Sequence, residues 1–180
     1  PLPEGMLIIP CGRSRVLSGA QVIEALAGEN LFDNATEFLA GTHRLHAAGD
    51  SHSREVLFHL IGCAVELSLK SYLHFRGWND DRCRDEVRHD LVKALAAAEQ
   101  LGLHRRHPDV RMLTRILSPY YRCHRIRELA RLDPAPISPE RALQAADGLL
   151  DDVLAAVAAR PRSGADTMPV SVAHGPPILP

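Results

Sequence analysis

Aromatic residues are scarce in this chain, at 4% of all residues, although 46% are hydrophobic. Much of the apolar content is therefore Ala and Leu, which are strong helix formers, whereas β-strands are enriched in β-branched and aromatic side chains. A length of 180 residues suits one ordinary domain and is enough for a packed core. The composition therefore favours a single domain with an all-α fold.

The chain also lacks an excess of either positive or negative charge, since its formal net charge is -1 with neutral histidines. No bulk electrostatic field draws such a protein to nucleic acid or to an anionic membrane. Lysine occurs only at Lys70 and Lys93, so the basic charge is nearly all arginine. Arginine suits bidentate phosphate contacts. However, a GC-rich coding sequence also favours Arg and Ala, so this bias alone does not indicate phosphate binding.

Paired cysteines and membrane signals are the next absences. None of the four cysteines has CxxC spacing, which excludes a zinc knuckle and a thioredoxin-type motif. We find neither a signal peptide nor an apolar run that we expect to cross a membrane. These absences predict a cytoplasmic, reduced protein without membrane association.

Metal ligands are sparse as well. His43 with His46 and His104 with His107 have the i,i+3 spacing that could bind a metal, but neither pair has an evident third ligand. Inward Glu and Glu-x-x-His pairs of a cofactor-carrying four-helix bundle are not found either. We therefore expect no metal site and no cofactor.

Helical periodicity is what the sequence does contain. It predicts a domain of four to five main helices over residues 19–160, between an irregular, Pro-rich arm at residues 1–18 and a disordered tail at residues 161–180. The pattern predicts a short helix over 18–27, and longer helices over 29–48, 52–75, 90–101, 110–131 and 138–159. Pro119 should kink or break the fifth of these. Residues 78–88 read as a polar loop.

Three local signals support this assignment. The helix at 52–75 is apolar on more than one side, which predicts a central position in an antiparallel bundle. Asp90 is a natural N-cap for the next helix. Ser138, followed by Pro139 and Glu140, marks the start of the last helix.

The order of these elements carries a resemblance to a known family. The central helix contains Ala64-Val65-Glu66-Leu67-Ser68-Leu69-Lys70, Gly77 follows it, and His89-Asp90-Leu91 opens the next helix. Residues 29–158 thus resemble the HEPN family, whose members often have an A-x-E-L-x-L-K helix, a glycine and an H-D-L helix start. The segment 117–127 resembles the aromatic, arginine-rich segment of many members. One departure is Glu128, which follows Arg127 where the family often has Tyr.

The resemblance implies a helical bundle that is frequently a homodimer. Many members are metal-independent ribonucleases of toxin–antitoxin or defence systems, and others have lost catalysis and serve as binding modules. The expected partners are RNA or a nucleotide, and a cognate antitoxin or nucleotidyltransferase-like protein. The predicted function is therefore that of an RNA-associated protein, with ribonuclease activity as one expectation. The alternative is a non-catalytic binding or dimerisation module.

Arg84 and His89 are the first catalytic candidates. Catalytic members of the family use an Arg and a His separated by four to six residues, with a polar residue after the Arg, and Asp85 follows Arg84 here. A histidine can take the proton of a 2′-hydroxyl, and an arginine can stabilise a charged phosphorane. The non-catalytic interpretation is that one such spacing arises by chance among so many arginines and histidines, and that His89 simply precedes the start of a helix.

A second cluster and a polar pair complete the candidates. Arg122, His124 and Arg125, beside Tyr121, suit single-stranded RNA because bases stack on aromatic rings and phosphates pair with arginines. If the fifth helix continued, Arg122 and Arg125 would share a face. A solvated face paired with Glu128 explains the same residues. Glu66 and Lys70 are either a pair lining a pocket or a structural i,i+4 ion pair.

Overall fold

The computed structural model describes residues 19–49 and 54–159, with side chains from residue 27 onward. The predicted arm at 1–18 and tail at 161–180 lie outside the described residues. Within these ranges there are seven helices and no strand, which confirms the all-α prediction. The helices are α1 (Gly19–Ala47), α2 (Arg54–Phe75), α3 (Asp80–Glu86), α4 (Leu91–Gln100), α5 (Val110–Tyr121), α6 (Ile126–Ala130) and α7 (Pro139–Ala158).

Helix α2 lies at the centre of the fold, as its apolar surface predicts. It contacts each of the other six helices, most extensively α1 and α7. Phe58, Ile61, Leu69 and Leu73 are completely buried along it. Because its neighbours cover more than one side, most residues of α2 face another helix, and several polar side chains are buried with them, namely Glu66, Ser68, Ser71 and His74.

The same helix corrects one expectation about membranes. By length and composition α2 is apolar enough to cross a membrane, contrary to the prediction that no such run exists. However, 67% of its most apolar stretch is buried inside the bundle, and the core helix of a soluble protein has this character. The structure is therefore compatible with a soluble protein.

Helix α1 is longer than predicted. The sequence predicts separate helices on either side of Gly28, but α1 runs through this residue without a break. Gly28 lies against α2, where an added Cβ would be 3.3 Å from His74 Cβ, and its carbonyl accepts the Ser71 hydroxyl at 2.8 Å. This glycine allows close packing and does not end the helix.

The predicted loop after α2 contains a helix, α3. Gly77 ends α2 with φ +92°, as expected, and the Asn79 side chain then caps α3 by accepting from the Arg82 amide at 2.9 Å. Cys83 is buried, and the Arg82 guanidinium lies 4.0 Å above the Trp78 ring. The segment is polar overall, but a few buried contacts suffice to order it.

Helix α5 ends at a different residue from the one predicted. The helix continues through Pro119 and ends at Tyr121, so the break expected near Pro119 comes a few residues later, between α5 and α6. Pro119 is exposed, so water can satisfy the carbonyl that its missing N–H leaves free. The break comes at His124, which has φ +55°.

The two predicted helix starts nearest the candidate residues are confirmed. Asp90 Oδ1 accepts from the Val92 and Lys93 amides at 3.1 and 3.2 Å, which caps α4. Ser138 Oγ accepts from the Arg141 amide at 3.3 Å and caps α7, with Pro139 at the first helical position. Helix α4 packs on α2, which brings His89 close to Glu66.

Candidate functional site

A buried carboxylate is the centre of the candidate site. The Glu66 side chain on α2 is 8% exposed, and the Lys70 Nζ donates to its Oε1 at 2.6 Å. The Tyr121 hydroxyl donates to Oε2 at 2.8 Å, and His89 Nδ1 lies 3.1 Å from both oxygens. The Glu66 carboxylate thus links helix α2 to His89, which precedes the N-cap of α4, and to Tyr121, the last residue of α5.

The partners of Glu66 decide its ionisation. Burial by itself raises the pKa of the Glu66 carboxyl, but the hydrogen bond and charge of Lys70, with the hydrogen bonds from His89 and Tyr121, hold that pKa below its ordinary value. Burial, the bond to Cys63 and the charge of Glu66 raise the pKa of Tyr121 far above its ordinary value. The site therefore holds an anionic carboxylate and a neutral phenol that donates to it.

His89 presents one ring nitrogen to the protein and the other to solvent. An ionised carboxylate only accepts hydrogen bonds, so Nδ1 of His89 carries the proton that it donates to Glu66. The His89 side chain is nevertheless 55% exposed. When the ring is neutral, Nε2 on its opposite side is the unprotonated acceptor. A buried carboxylate that fixes the tautomer of an exposed histidine is an arrangement suited to general base catalysis.

Helix α2 carries a longer polar stripe than the sequence analysis recognised. His59 Nε2 lies 3.8 Å from Cys63 Sγ, and the Tyr121 hydroxyl oxygen lies 3.5 Å from the same sulfur. The His59 and Tyr121 ring centroids are 6.0 Å apart. The spacing of His59, Cys63, Glu66 and Lys70, at i, i+4, i+7 and i+11, is the sequence signal that could have placed them on one face.

The segment that follows α5 lies over His89. The His124 and His89 ring centroids are 6.2 Å apart, and Tyr121 meets His89 edge to face at 6.3 Å. Arg122 Nη1 donates to Asp90 Oδ2 at 3.3 Å, and Ser118 Oγ donates to Asp90 Oδ1 at 3.0 Å. These contacts fasten the α5–α6 connection to the start of α4.

The structure thus assembles most of the predicted site residues, but not all of them. His89, Glu66, Lys70, Tyr121 and His124 form one cluster, to which Arg122 is joined through Asp90. We call this set of side chains the His89 cluster.

Two predicted arginines lie apart from the His89 cluster. The 70%-exposed Arg84 side chain pairs with Asp81 on α3, and no hydrogen bond or ion pair within the described ranges joins Arg84 to His89. Arg125 pairs with Glu128, at 2.6 Å from Nε to Oε1. The expectation that Arg122 and Arg125 share a helix face is wrong, because α5 ends before both residues.

One of the two histidine pairs, His43 with His46, lies at carboxylates of α7. His43 Nε2 lies 3.0 Å from Asp147 Oδ1, and His46 Nε2 lies 3.7 Å from Glu140 Oε1. In residues 19–49 and 54–159, no group of three or more His, Cys, Asp or Glu side chains is arranged to hold a metal ion.

Comparisons of this chain with family models, with curated proteins and with solved structures found no match. Function is therefore inferred from the residues of this chain and from the resemblance that they carry.

Proposed function

We propose that this chain is an HEPN-like, RNA-associated protein that cleaves RNA without a metal ion, with His89 as the general base. The observation that carries the proposal is the hydrogen bond between buried Glu66 and exposed His89. A surface histidine needs no buried anion behind it for stability alone, because burying a charge has a cost in free energy. Orientation of the His89 ring explains that cost.

The proposed first step follows from the orientation of His89. Nε2 accepts the proton of a ribose 2′-hydroxyl, and the positive charge that forms on the ring is stabilised by the ionised Glu66. The 2′-oxygen then attacks the adjacent phosphorus. Arg122, tied to the residue that follows His89 and exposed over 55% of its side chain, supplies the cation for the phosphorane. In this scheme Arg122 takes the role that the family spacing assigns to Arg84.

Two features beyond the carboxylate support the family assignment and RNA as the substrate. The helix with Glu66 and Lys70 packs on the helix that opens after His89 and Asp90, in the order of the family motifs. Tyr120, half-buried beside the arginine-rich α5–α6 connection, offers an aromatic surface for an unpaired base. Neither feature indicates RNA as the substrate by itself; each supports the proposal only together with the His89 cluster.

Cleavage of single-stranded RNA in a buffer that contains EDTA tests the proposal. We expect wild-type protein to cleave, and His89→Ala to be slower by about 10²–10⁴-fold, the usual contribution of a general acid or base. His104→Ala is the matched control, since His104 is an exposed histidine in the α4–α5 connection. Equal cleavage by wild type and His89→Ala, or no cleavage by wild type, contradicts the proposal. Arg84→Ala and Arg122→Ala then decide which arginine acts.

A non-catalytic binding or dimerisation module is the second candidate. The observation that favours it is that the arginines of the α5–α6 connection have internal partners, Asp90 for Arg122 and Glu128 for Arg125. Such pairing, with a net charge of -1, weakens the cationic contribution on which RNA affinity depends. Under this proposal the chain is a homodimer that binds a nucleotide, an antitoxin or a nucleotidyltransferase-like protein.

Light scattering over a range of concentrations separates the two candidates when combined with the cleavage assay. A stable dimer without ribonuclease activity supports the binding module. A cleaving protein whose activity depends on His89 excludes it, whatever its oligomeric state.

A further inference from the structure

Two histidine rings of the His89 cluster lie close together. The centroids of the His89 and His124 rings are 6.2 Å apart, with an angle of 59° between the ring planes. In the part of the chain that the structure describes, no hydrogen bond joins the two rings, and none fixes the His124 ring to another side chain. His124 is exposed. Both histidine side chains are therefore accessible to a substrate from solvent.

The backbone holds His124 there at a cost. Its φ is +55°, a left-handed conformation that is unfavourable for a residue with a Cβ. Two hydrogen bonds impose the turn, from the Arg125 amide to the Tyr120 carbonyl at 2.7 Å and from the His124 amide to the Tyr121 carbonyl at 3.1 Å. This is a Schellman-type helix end, in which glycine is the usual residue at the His124 position. A histidine there is a more costly choice that places a titratable ring beside His89.

We infer that His124 is the general acid that protonates the leaving 5′-oxygen, opposite His89 as the general base. The inference rests on the proposed function and adds a second catalytic residue to it. Attacking and leaving oxygens lie on opposite sides of the phosphorus in an in-line displacement. Two neighbouring exposed histidines can serve the two oxygens as base and acid, whereas a single histidine serves only one oxygen at a time.

The step is balanced without any other reactant. His89 Nε2 takes the proton of the 2′-hydroxyl, the bond from the 2′-oxygen to phosphorus forms, and the bond from phosphorus to the 5′-oxygen breaks. A ring nitrogen of the His124 imidazolium gives its proton to that 5′-oxygen. The products are a 2′,3′-cyclic phosphate and a 5′-hydroxyl. His89 is left protonated and His124 neutral, and exchange with water restores both.

Other ionisable groups near the two rings have fixed partners. Glu66 and Lys70 on α2 pair with each other, and Tyr121 at the end of α5 donates to Glu66. His59 and Cys63 lie further along α2 beside Tyr121. On the α5–α6 connection and α4, Arg122 pairs with Asp90, and Arg125 pairs with Glu128. The partnered groups set the local charge, and His124 is the histidine beside His89 that can give up a proton to substrate.

Two substrates with different leaving groups test the assignment. In a dinucleotide such as uridylyl-adenosine, the leaving group is an alkoxide, which needs a proton to depart. In uridine 3′-(4-nitrophenyl phosphate), the leaving group is 4-nitrophenolate, which is stable without a proton. Asparagine tolerates the left-handed conformation, so His124→Asn removes the acid without forcing the turn to change. His104→Asn is the matched control.

We expect wild-type protein and His104→Asn to cleave both substrates and His89→Ala to lose activity on both. His124→Asn should lose roughly 10²-fold or more in kcat/KM on the dinucleotide and stay close to wild type on the aryl ester. The alkaline limb of the kcat/KM–pH profile for the dinucleotide, which reports loss of the proton of the acid, should disappear in His124→Asn. Circular dichroism and thermal unfolding check that the variants fold.

The possible failures are distinguishable. Full dinucleotide cleavage by His124→Asn, or equal losses on both substrates, overturns the assignment of His124 and leaves His89 in place. If His124→Asn does not fold, His124→Gly, which suits a positive φ, is measured against the same two criteria. No cleavage of either substrate by wild type overturns the proposed function and the role of His124 together.

Discussion

The ring of Tyr121 lies directly on the backbone of Gly62. A Cβ added at Gly62 would come within 2.6 Å of Tyr121 Cδ2 and 2.8 Å of Tyr121 Cε2. The missing side chain lets the ring approach α2, so that its hydroxyl reaches Glu66, one turn further along, at 2.8 Å. This glycine in the middle of a buried helix is therefore a requirement of the His89 cluster.

Gly62→Ala should destabilise the protein. Alanine gains about 1 kcal/mol over glycine in a helix interior. Displacement of a buried ring by overpacking costs about 1–3 kcal/mol, and loss of the bond from Tyr121 to Glu66 adds roughly 1 kcal/mol. We expect a net loss in the free energy of unfolding, measured by urea denaturation.

Gly41→Ala is the matched control for this prediction. Gly41 lies inside α1, and an added Cβ there would meet only Arg44 Nη2, at 3.9 Å. The helix propensity of alanine then acts alone, and we expect a gain of up to ~1 kcal/mol. Substitutions that shift stability in the same direction at both positions would contradict the close contact between Gly62 and Tyr121.

Glu66→Gln should make the free energy of unfolding depend less on pH in the acidic range. The folded-state pKa of Glu66 lies below its unfolded value, mainly because of Lys70 acting against burial. Its contribution to stability is therefore fully present above the unfolded pKa, which is about 4.3. It is lost as the pH falls through the folded-state pKa. Glutamine cannot ionise, so the variant lacks this loss.

The measurement is thermal unfolding of wild type and Glu66→Gln from pH 7 down to pH 3. Other carboxylates with lowered pKa values, among them Asp90 and Glu128, contribute equally to both proteins, so the difference between the two curves isolates Glu66. We expect the gap in melting temperature to be largest at neutral pH and to narrow with acidification. A constant gap would show that Glu66 is not ionised in the folded protein.

Asp90→Ala and Asp90→Asn should differ in stability. Asp90 caps α4 and also binds Ser118 and Arg122, so alanine removes the cap and both connections. Loss of an N-cap costs ~1 kcal/mol, and asparagine is as good a cap as aspartate. We expect Asp90→Ala to lose one to two times that amount and Asp90→Asn to lose less, as judged by chemical denaturation. Equal losses would mean that the cap bonds contribute nothing.

The cysteines should differ in their rates of thiol labelling. Cys123 is exposed, whereas Cys83 is buried and burial raises its pKa to about 11, so at pH 8 only about 0.1% of it is thiolate. Burial likewise raises the pKa of Cys63. With Cys11 replaced by Ser, we expect one thiol to react quickly with a disulfide reagent in the native protein and all three to react after unfolding. Rapid reaction of Cys83 would contradict its burial.

The all-α class, the central position of α2 and the caps at Asp90 and Ser138 follow from the sequence itself. These features depend on composition, hydrophobic periodicity and capping, which act between residues close in the chain. The Glu66–Lys70 pair belongs with them, since i,i+4 residues meet on any helix. His89 was recognisable as a candidate for the same reason, because its motif is contiguous.

Only the tertiary structure decided which residues share the site with His89. The bonds from His89 and Tyr121 to Glu66 join residues 23 and 55 positions apart, and no local pattern encodes such distances. The helix end at His124 places that ring beside His89 and separates Arg122 from a common face with Arg125. It is formed by hydrogen bonds to the Tyr120 and Tyr121 carbonyls, not at Pro119 where the sequence predicted the break. Helix propensity and spacing predict what one helix presents, whereas a site made by three elements exists only once their packing brings them together.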